Sequence, residues 1–359
     1  FDLRVPVEII AAADSRSPRV LQVNADLARG RVNETYHALV RELTDALERL
    51  LADCDVLIVH NALSLHKNLM LTAALKNMAD TPRFKIVAWC HDFAWSDPQY
   101  AAELYPGFPW ELLKRPWQGV KYVVVSQARK KELQELWGAR EPEISVVPPG
   151  IDPCEFFGVT PETARWTRDL ALLDAAPLLL LPARLTRRKN IERAIEIVVA
   201  LRGLGLNAKL VVTGPPGAHN PTNRAYLEKL RALRQSRQLN GAVIFLHEFG
   251  EVQDTAMRDL YLLADALLFP SEREGFGIPL LEAALARLPI FCADLPSFHE
   301  TARTHVRYFT RDEEPNAIAA RIAEYLANDS AYQFKQRVRR EFSWERIFAE
   351  CLEPLVNEL

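Results

Sequence analysis

Residues 266–283 read ALLFPSEREGFGIPLLEA, and this stretch decides how the chain is expected to fold. Four apolar residues begin it, as in a strand that is covered on both faces. A loop with two glycines follows, and Pro279 then stands in the expected first turn of a helix, where its missing N–H is tolerated. The stretch therefore predicts a strand, a loop and a helix in direct succession, which is the building unit of a parallel sheet.

The loop within this stretch has the chemistry of a ligand site. Its glycines let the backbone come close to a ligand, and the N-terminus of the following helix offers free N–H groups and a positive dipole end that suit phosphate. Glu274 lies in the loop and Glu282 about one turn into the helix, where carboxylates can accept hydrogen bonds from sugar hydroxyls. The plain alternative is a structural joint with two solvated carboxylates.

The same alternation of strands and helices runs through the back half of the chain. Apolar or β-rich runs predict strands at residues 178–181, 209–213, 242–246, 266–269, 289–293 and 306–309. Helical spacing of apolar residues between them predicts helices over 191–201 and 223–237. Strands that alternate with helices indicate a parallel, doubly wound sheet.

The front half repeats this pattern more loosely. Strands are predicted at residues 5–11, 55–60, 85–89, 121–126 and 144–147, with a long amphipathic helix over 34–51. Two prolines and a glycine at 148–150 then end a strand and turn the chain, so we place a hinge between there and about residue 175. The expected architecture is two doubly wound domains, whose ligands bind beyond the carboxyl ends of the strands.

A second polar loop, PARLTRRKN at residues 182–190, follows a predicted strand and lies on the same edge as Glu274. Arg184 can clamp a diphosphate through two hydrogen bonds, and Lys189 can add a point charge. Together these cations can neutralise charge on a departing nucleoside diphosphate. For the neighbouring Arg187 and Arg188, a solvated basic loop is the favoured interpretation.

Polar residues also end two strands of the front half. His91 and Asp92 follow one strand, and His60 and Asn61 follow the strand before it. Because ligands bind beyond strand carboxyl ends, His91 is expected to face a ligand, while His60, Asn61 and Asp92 are weaker candidates for an acceptor side. For His60 and His91 alike, the alternative is a structural histidine that is buried in the core and forms its hydrogen bonds there.

From about residue 55 to its end, the chain resembles the retaining glycosyltransferases of family four. Residues 274–283 match the family pattern Glu-Gly-Phe-Gly-x-Pro-x-x-Glu-Ala at every defined position, and 184–189 match Arg-x4-Lys. The resemblance implies an α/β fold of the GT-B type, with two doubly wound Rossmann-like domains facing across a cleft. It divides the chain into an acceptor-side domain over 1–150, a nucleotide-sugar-binding domain over 151–335 and a C-terminal helix over 336–359 that crosses back.

The resemblance also implies roles for single residues. Glu274 would face the donor sugar and Glu282 the nucleotide ribose. Arg184 and Lys189 would stabilise the leaving diphosphate, and His91 would contact the donor sugar. Further donor-binding residues follow from the matched loops, although Gly214, Pro215 and Val252 can equally be plain turn residues: Gly214, Pro215, Val252, Phe276, Gly277 and Ile278.

The bulk composition excludes several classes. A formal net charge of −3 on 359 residues gives no overall field for nucleic acid. Five widely spaced cysteines without a Cys-x-x-Cys favour neither disulfides nor zinc. Each apolar run is too short for a transmembrane segment, so a cytoplasmic protein is the default expectation. We expect no cofactor, and no metal requirement, because two cations can supply the electrostatic stabilisation.

The resemblance implies transfer of a sugar from a nucleoside-diphosphate sugar with retention of the anomeric configuration. The acceptor stays open: it can be a sugar, a small molecule or a lipid-linked compound. Two alternatives stay open beside it. A sugar-nucleotide epimerase or hydrolase of the same fold would act on the donor alone. A non-catalytic sugar-nucleotide-binding module would bind the donor without turnover.

The beginning of the chain gives one more expectation. Family members open with a strand, a glycine-rich loop and a helix, whereas the first thirty residues here contain a single glycine, Gly30. We therefore expect roughly 40 further residues ahead of Phe1, the size of one strand-and-helix unit with its next strand. Residues 5–11 would then form a later, outer strand.

Overall fold

The computed structural model describes residues 6–81, 83–138, 142–216 and 222–359. The chain divides into two compact units. The N-terminal unit comprises Phe1–Gly150 together with Glu345–Leu359, and the C-terminal unit comprises Ile151–Trp344. Each unit contains its own parallel sheet, as the alternating sequence pattern predicts.

The sheet of the N-terminal unit has four parallel strands in the order in which they occur along the chain. They are β1 (Val56–His60), β2 (Lys85–Cys90), β3 (Val120–Val124) and β4 (Ile144–Val146). Strand β2 is buried from Ile86 to Cys90, whereas β1 is an edge strand whose Ile58 is 39% exposed. The four strands confirm the predictions for residues 55–147 to within two residues at each end.

Helices cover this sheet. They are α1 (Pro18–Leu27), α2 (Glu34–Leu50), α3 (Leu69–Ala79) and α4 (Gln127–Trp137). Helix α2 begins where predicted, because the Asn33 side chain accepts a hydrogen bond from the N–H of Tyr36 at 3.1 Å. Its apolar face buries Tyr36, Leu39 and Leu43. The helical spacing of the sequence therefore identified a helix that packs onto the core.

The strand predicted at residues 5–11 is wrong for the part that the structure describes; Val5 lies outside the described residues. Residues 6–10 pair with no strand, and a short 3₁₀ turn occupies Ala11–Ala13. The side chains of Val7 and Ile9 are 84% and 90% exposed. A strand needs a neighbour for its backbone groups, and Pro6 has no N–H to offer. An alternation of β-branched residues alone is therefore not sufficient to form a strand.

The sheet of the C-terminal unit has six parallel strands in the order β10-β9-β8-β5-β6-β7. They are β5 (Leu178–Leu181), β6 (Lys209–Val212), β7 (Val243–Phe245), β8 (Ala266–Phe269), β9 (Ile290–Ala293) and β10 (Arg307–Phe309). The chain leaves β5 for β6 and β7 on one side and returns to β8 on the other. The loops after β5 and β8 thus lie side by side at a topological switch point, where such sheets bind ligands.

The C-terminal unit contains nine helices among the described residues, and two of them confirm the helices predicted over residues 191–201 and 223–237. The nine helices are α5 (Pro153–Phe157), α6 (Pro161–Asp169), α7 (Ile191–Gly203), α8 (Thr222–Ser236), α9 (Asp254–Leu263), α10 (Ile278–Leu285), α11 (Pro296–Ala302), α12 (Pro315–Asn328) and α13 (Ser330–Glu341). Strands β5 to β8 are completely buried, and apart from Lys209 at the start of β6 their residues are all apolar.

The segment predicted as one crossing helix over 336–359 is divided between the units. Helix α13 belongs to the C-terminal unit, because Arg339 binds both carboxylate oxygens of the buried Asp265 at 3.0 Å and Gln336 binds the same group at 2.9 Å. Residues 345–359 belong to the N-terminal unit; α14 (Trp344–Ile347) begins one residue before this boundary, and α15 (Glu353–Asn357) lies beyond it. There Ile347 and Leu355 pack against one face of the sheet.

Candidate functional site

A cavity of about 810 Å³ opens in the C-terminal unit, between the loops that follow β5, β6, β7 and β8. This size lies within the range of small-molecule sites. Six of the residues predicted to bind a donor line it: Arg184, Gly214, Pro215, Val252, Ile278 and Glu282. The structure therefore brings together side chains from four loops that are far apart in the sequence.

Lys189 and Glu274 form a buried ion pair between the loops that follow β5 and β8. Their side chains are each 10% exposed, and the Lys189 ammonium donates directly to the Glu274 carboxylate. Burial lowers the pKa of Lys189, although Glu274 opposes that shift. Burial alone would raise the pKa of Glu274, but the contacts with Lys189, Ser271 and Arg188 together outweigh burial and keep the pKa below its ordinary value.

Arg188 also contacts this pair, although half of its side chain is exposed, in agreement with the interpretation of a solvated basic loop. Its guanidinium lies 3.0 Å from the second carboxylate oxygen of Glu274, and its carbonyl accepts a hydrogen bond from the N–H of Glu272 at 2.8 Å. A 3₁₀ turn over Arg187–Lys189 gives the loop this shape. Arg187 instead lies over the ring of Tyr226, 5.4 Å from its centroid.

Arg184 lies at the cavity with an exposed side chain, and it forms no ion pair with any described residue. Gly214 supports the backbone at this point. A Cβ atom on Gly214 would stand 2.5 Å from the carbonyl oxygen of Ala183 and 2.6 Å from the Cα of Arg184. The close approach therefore requires glycine, and any larger residue would displace the segment that carries Arg184.

Glu282 lines the cavity from the first turns of α10, as predicted, but a partner that the sequence analysis missed holds its carboxylate. The hydroxyl of Tyr261 on α9 donates to Glu282 at 2.6 Å. Burial, and then this contact, raise the pKa of Tyr261, so the phenol keeps its proton. The spacing of apolar residues on α9 does not reveal this role, because it depends on how α9 packs beside α10.

The loop between β8 and α10 has the predicted form. Pro279 lies in the first turn of α10, and Gly277 before it has a φ of +92°. The N–H groups of Gly275, Phe276, Gly277 and Ile278 have no acceptor within the described parts of the chain. Ile278 lines the cavity, while Phe276 and Gly277 lie in the loop beside Glu274. The run of free N–H groups suits an anionic ligand.

The loop after β7 forms another wall of the cavity. The indole N–H of Trp166 donates to the carbonyl of Phe249 at 3.4 Å, which supports the loop that carries Val252. His247 also lines this wall, and neither of its buried ring nitrogens has a partner among the described residues. Burial lowers the pKa of His247. The sequence analysis missed His247, in the turn after β7, and Met257, on α9, because neither position carries a local signature of a cavity wall.

A separate polar cluster lies at the carboxyl ends of β1 and β2 in the N-terminal unit. His60 Nδ1 and His91 Nε2 are 3.1 Å apart, and Asn61 accepts a hydrogen bond from the N–H of His91 at 2.7 Å. Asp92 pairs with Arg129 at 2.9 Å. The four residues singled out from the sequence are thus neighbours. Neither histidine is buried, so the core alternative is wrong for both.

No helix in the described parts of the chain combines the length and the apolar character that a membrane crossing requires. Within the same parts, no three His, Cys, Asp or Glu side chains converge as metal ligands would.

Comparison with known proteins identifies the family. Residues 163–341 match the model of glycosyl transferases group 1, and residues 3–155 match that of glycosyltransferase family 4. The serotype-specific mannosyltransferase WbdA of Escherichia coli is 34% identical over 158 residues, which are 44% of this chain and 18% of the relative. The chain thus spans less than a fifth of that relative's length.

Two further relatives align over longer stretches. An uncharacterized glycosyltransferase of Methanocaldococcus jannaschii is 28% identical over 248 residues, 66% of this chain and 60% of the relative. The mannosylglucosylglycerate synthase of Petrotoga mobilis is 24% identical over 328 residues, 81% of this chain and 72% of the relative. With two family models in succession and a doubly wound parallel sheet in each unit, the chain belongs to the family-four glycosyltransferases of the GT-B fold.

Proposed function

We propose that this chain transfers a hexosyl group from a nucleoside-diphosphate sugar to an acceptor, with retention of the anomeric configuration. The observation that carries the proposal is the Lys189–Glu274 pair beside a cavity that Arg184 and Glu282 line. Cations and carboxylates so combined suit a ligand with both phosphate and hydroxyl groups. The names of the relatives, a mannosyltransferase and a mannosylglucosylglycerate synthase, favour a mannosyl or glucosyl donor.

In this mechanism, Arg184 clamps the diphosphate and Lys189 moves from Glu274 to a phosphate oxygen. Both cations then stabilise the charge that develops as the nucleoside diphosphate leaves. Release of Lys189 frees the Glu274 carboxylate to accept hydrogen bonds from the sugar, while Arg188 still holds one of its oxygens. Glu282, positioned by Tyr261, accepts hydrogen bonds from the ribose hydroxyls.

For the N-terminal unit we propose a catalytic role for His91 and acceptor binding by His60, Asn61 and Asp92. The hydrogen bond between the two imidazoles leaves His60 Nε2 and His91 Nδ1 for a ligand. A neutral imidazole offers one donor and one acceptor, which suits a sugar hydroxyl. The acceptor can be a sugar, a small molecule or a lipid-linked saccharide.

The test is a transfer assay with a panel of UDP-, GDP-, ADP- and dTDP-hexoses, each with and without candidate acceptors. Acceptor-dependent release of the nucleoside diphosphate supports the proposal, and NMR coupling constants of the product report whether the anomeric configuration is retained. Epimer or free sugar from the donor alone would indicate an epimerase or hydrolase. Binding without any turnover would indicate a non-catalytic module.

The same assay tests the proposed independence from metal ions. Because Arg184 and Lys189 supply positive charge at the leaving group, we expect full activity after dialysis against EDTA. A loss of activity that Mg²⁺ or Mn²⁺ restores would contradict this part of the proposal.

A further inference from the structure

Helix α11 lies directly beneath the loop that joins β8 to α10. Phe298 of α11 is completely buried, and a Cβ atom on Gly277 would stand 2.7 Å from its ring. Such a contact, together with a φ of +92°, requires glycine at position 277. The loop is therefore in direct contact with α11 at Gly277, and a larger residue does not fit there.

Two hydroxyl groups on α11 bind carbonyls of the same loop. Ser297 Oγ donates to the carbonyl of Glu274 at 2.9 Å, and Thr301 Oγ1 donates to the carbonyl of Phe276 at 2.7 Å. The two residues are four positions apart, so both side chains lie on one face of the helix. Thr301 also lies 2.9 Å from the carbonyl of Ser297, but its single proton favours the shorter contact to the loop.

These contacts fix the direction of two peptide groups. In a planar trans peptide the N–H points opposite to the carbonyl of the preceding residue. The carbonyls of Glu274 and Phe276 point toward α11, so the N–H groups of Gly275 and Gly277 point away from it. Neither N–H has an acceptor among the residues that the structure describes. A free donor with a fixed direction is pre-organised for a ligand.

We infer that Ser297 and Thr301 are positioning residues, which aim the N–H groups of Gly275 and Gly277 at the diphosphate of the donor. This inference rests on the proposed function. The two hydroxyls do not touch the ligand and act through the carbonyls that they bind. Without them the two peptide groups are free to rotate, and the phosphate oxygens lose donors that were already oriented.

The experiment measures dissociation constants of ADP, CDP, GDP and UDP, and of the four matching nucleosides, by calorimetry on the full chain. Thr301→Val keeps the shape of the side chain and removes its hydroxyl, and Thr301→Ser restores the hydroxyl. Ser297→Ala removes the other hydroxyl. Ser236→Ala is the matched control, since it deletes a hydroxyl that binds a helix carbonyl at the end of α8.

We expect Thr301→Val and Ser297→Ala each to weaken binding of the preferred nucleoside diphosphate by about three- to tenfold, the worth of one hydrogen bond. Binding of the nucleoside stays unchanged, because it lacks the phosphates. Thr301→Ser regains most of the lost affinity, and Ser236→Ala loses none. An unchanged diphosphate affinity in both deletion variants overturns the inference, as does an equal loss of affinity for the nucleoside.

A second readout follows the two amides directly. The chain has 14 glycines, so ¹⁵N-glycine labelling gives a simple amide spectrum. Gly275 has open space around its Cα, and Gly275→Ala therefore identifies its signal. We expect the signals of Gly275 and Gly277 to move when the diphosphate is added, and to move less in Thr301→Val. Immobile signals in a wild-type protein that binds the diphosphate overturn the inference alone. A wild-type protein that binds none of the four diphosphates overturns the proposed function.

Discussion

The two units place polar side chains at the same edge of a parallel sheet, yet they build different sites there. In the C-terminal unit the strand order reverses between β5 and β8, and loops from four strands surround a cavity. In the N-terminal unit the strand order simply follows the chain, and the polar cluster belongs to β1 and β2. A reversal in strand order separates two loops, and the space between them becomes a pocket.

The ion pairs of the two regions differ in how deeply they are buried. The side chains of Lys189 and Glu274 are each 10% exposed, whereas those of Asp92 and Arg129 are 45% and 35% exposed. Water and salt screen the exposed pair, but they screen the buried pair much less. The comparison therefore predicts strong effects on function from changes in the first region, and small effects on stability from changes in the second.

The largest effect is expected at the two cations of the cavity. Arg184→Ala and Lys189→Ala each remove a stabiliser of the leaving diphosphate and should lower the turnover rate by about 10²–10³-fold. The melting temperature of Arg184→Ala should stay close to that of the wild type, since Arg184 is exposed. Initial-rate measurements give the turnover rate of each variant. Wild-type turnover in both variants would show that the diphosphate does not bind at Arg184 and Lys189.

The two glutamates should separate binding from turnover. Glu282→Gln weakens hydrogen bonding to the ribose, so we expect about a tenfold weaker affinity for the nucleoside diphosphate. Glu274→Gln frees Lys189 from its carboxylate, so affinity for the diphosphate is kept or increased while turnover falls. Calorimetry and initial rates measure both quantities. Equal losses of affinity in the two variants would contradict the separate roles.

The sequence predicted the loop between β8 and α10 because its signals are local. Gly277 has the positive φ that its residue type suits, and Pro279 stands in the first turn of a helix. Strands β5 and β8 were equally evident, since each is an uninterrupted apolar run. Features of this kind depend on residues that are neighbours in the sequence.

The sequence did not predict contacts between distant elements. Tyr261 lies 21 positions from Glu282, and Thr301 lies 25 positions from Phe276. Their roles arise only when helices pack side by side. The strand predicted at residues 5–11 is wrong for a related reason, because a strand depends on its hydrogen-bonded neighbour as much as on its own side chains. The contact between Arg188 and Glu274 likewise forms only because the loops after β5 and β8 lie side by side.

A pH effect is expected in the polar cluster of the N-terminal unit. Partial burial, and then the neighbouring His91, lower the pKa of His60. The unfolded chain thus takes up this proton at a higher pH than the folded one, and acidification through the ordinary histidine range, near 6.5, destabilises the fold. His91→Asn removes one of the two causes, so His60 should titrate at a higher pH by NMR. An unchanged titration would mean that the imidazoles do not interact.

The smallest effect is expected at the exposed pair. Asp92→Asn removes its charge, and we expect the free energy of unfolding in urea to change by less than about 1 kcal/mol. A change of several kcal/mol would show that this pair is as strongly coupled to the fold as a buried one, and the contrast between the two regions would be lost.

The central claim is that the C-terminal unit holds a nucleoside diphosphate between Arg184, Lys189 and Glu282. A crystal structure of the protein with the diphosphate that binds most tightly tests it directly. We predict phosphate oxygens within hydrogen-bond distance of the Arg184 guanidinium and the Lys189 ammonium, with the ribose hydroxyls at the Glu282 carboxylate. A nucleotide bound elsewhere, or one that leaves Lys189 paired with Glu274 alone, would contradict the account.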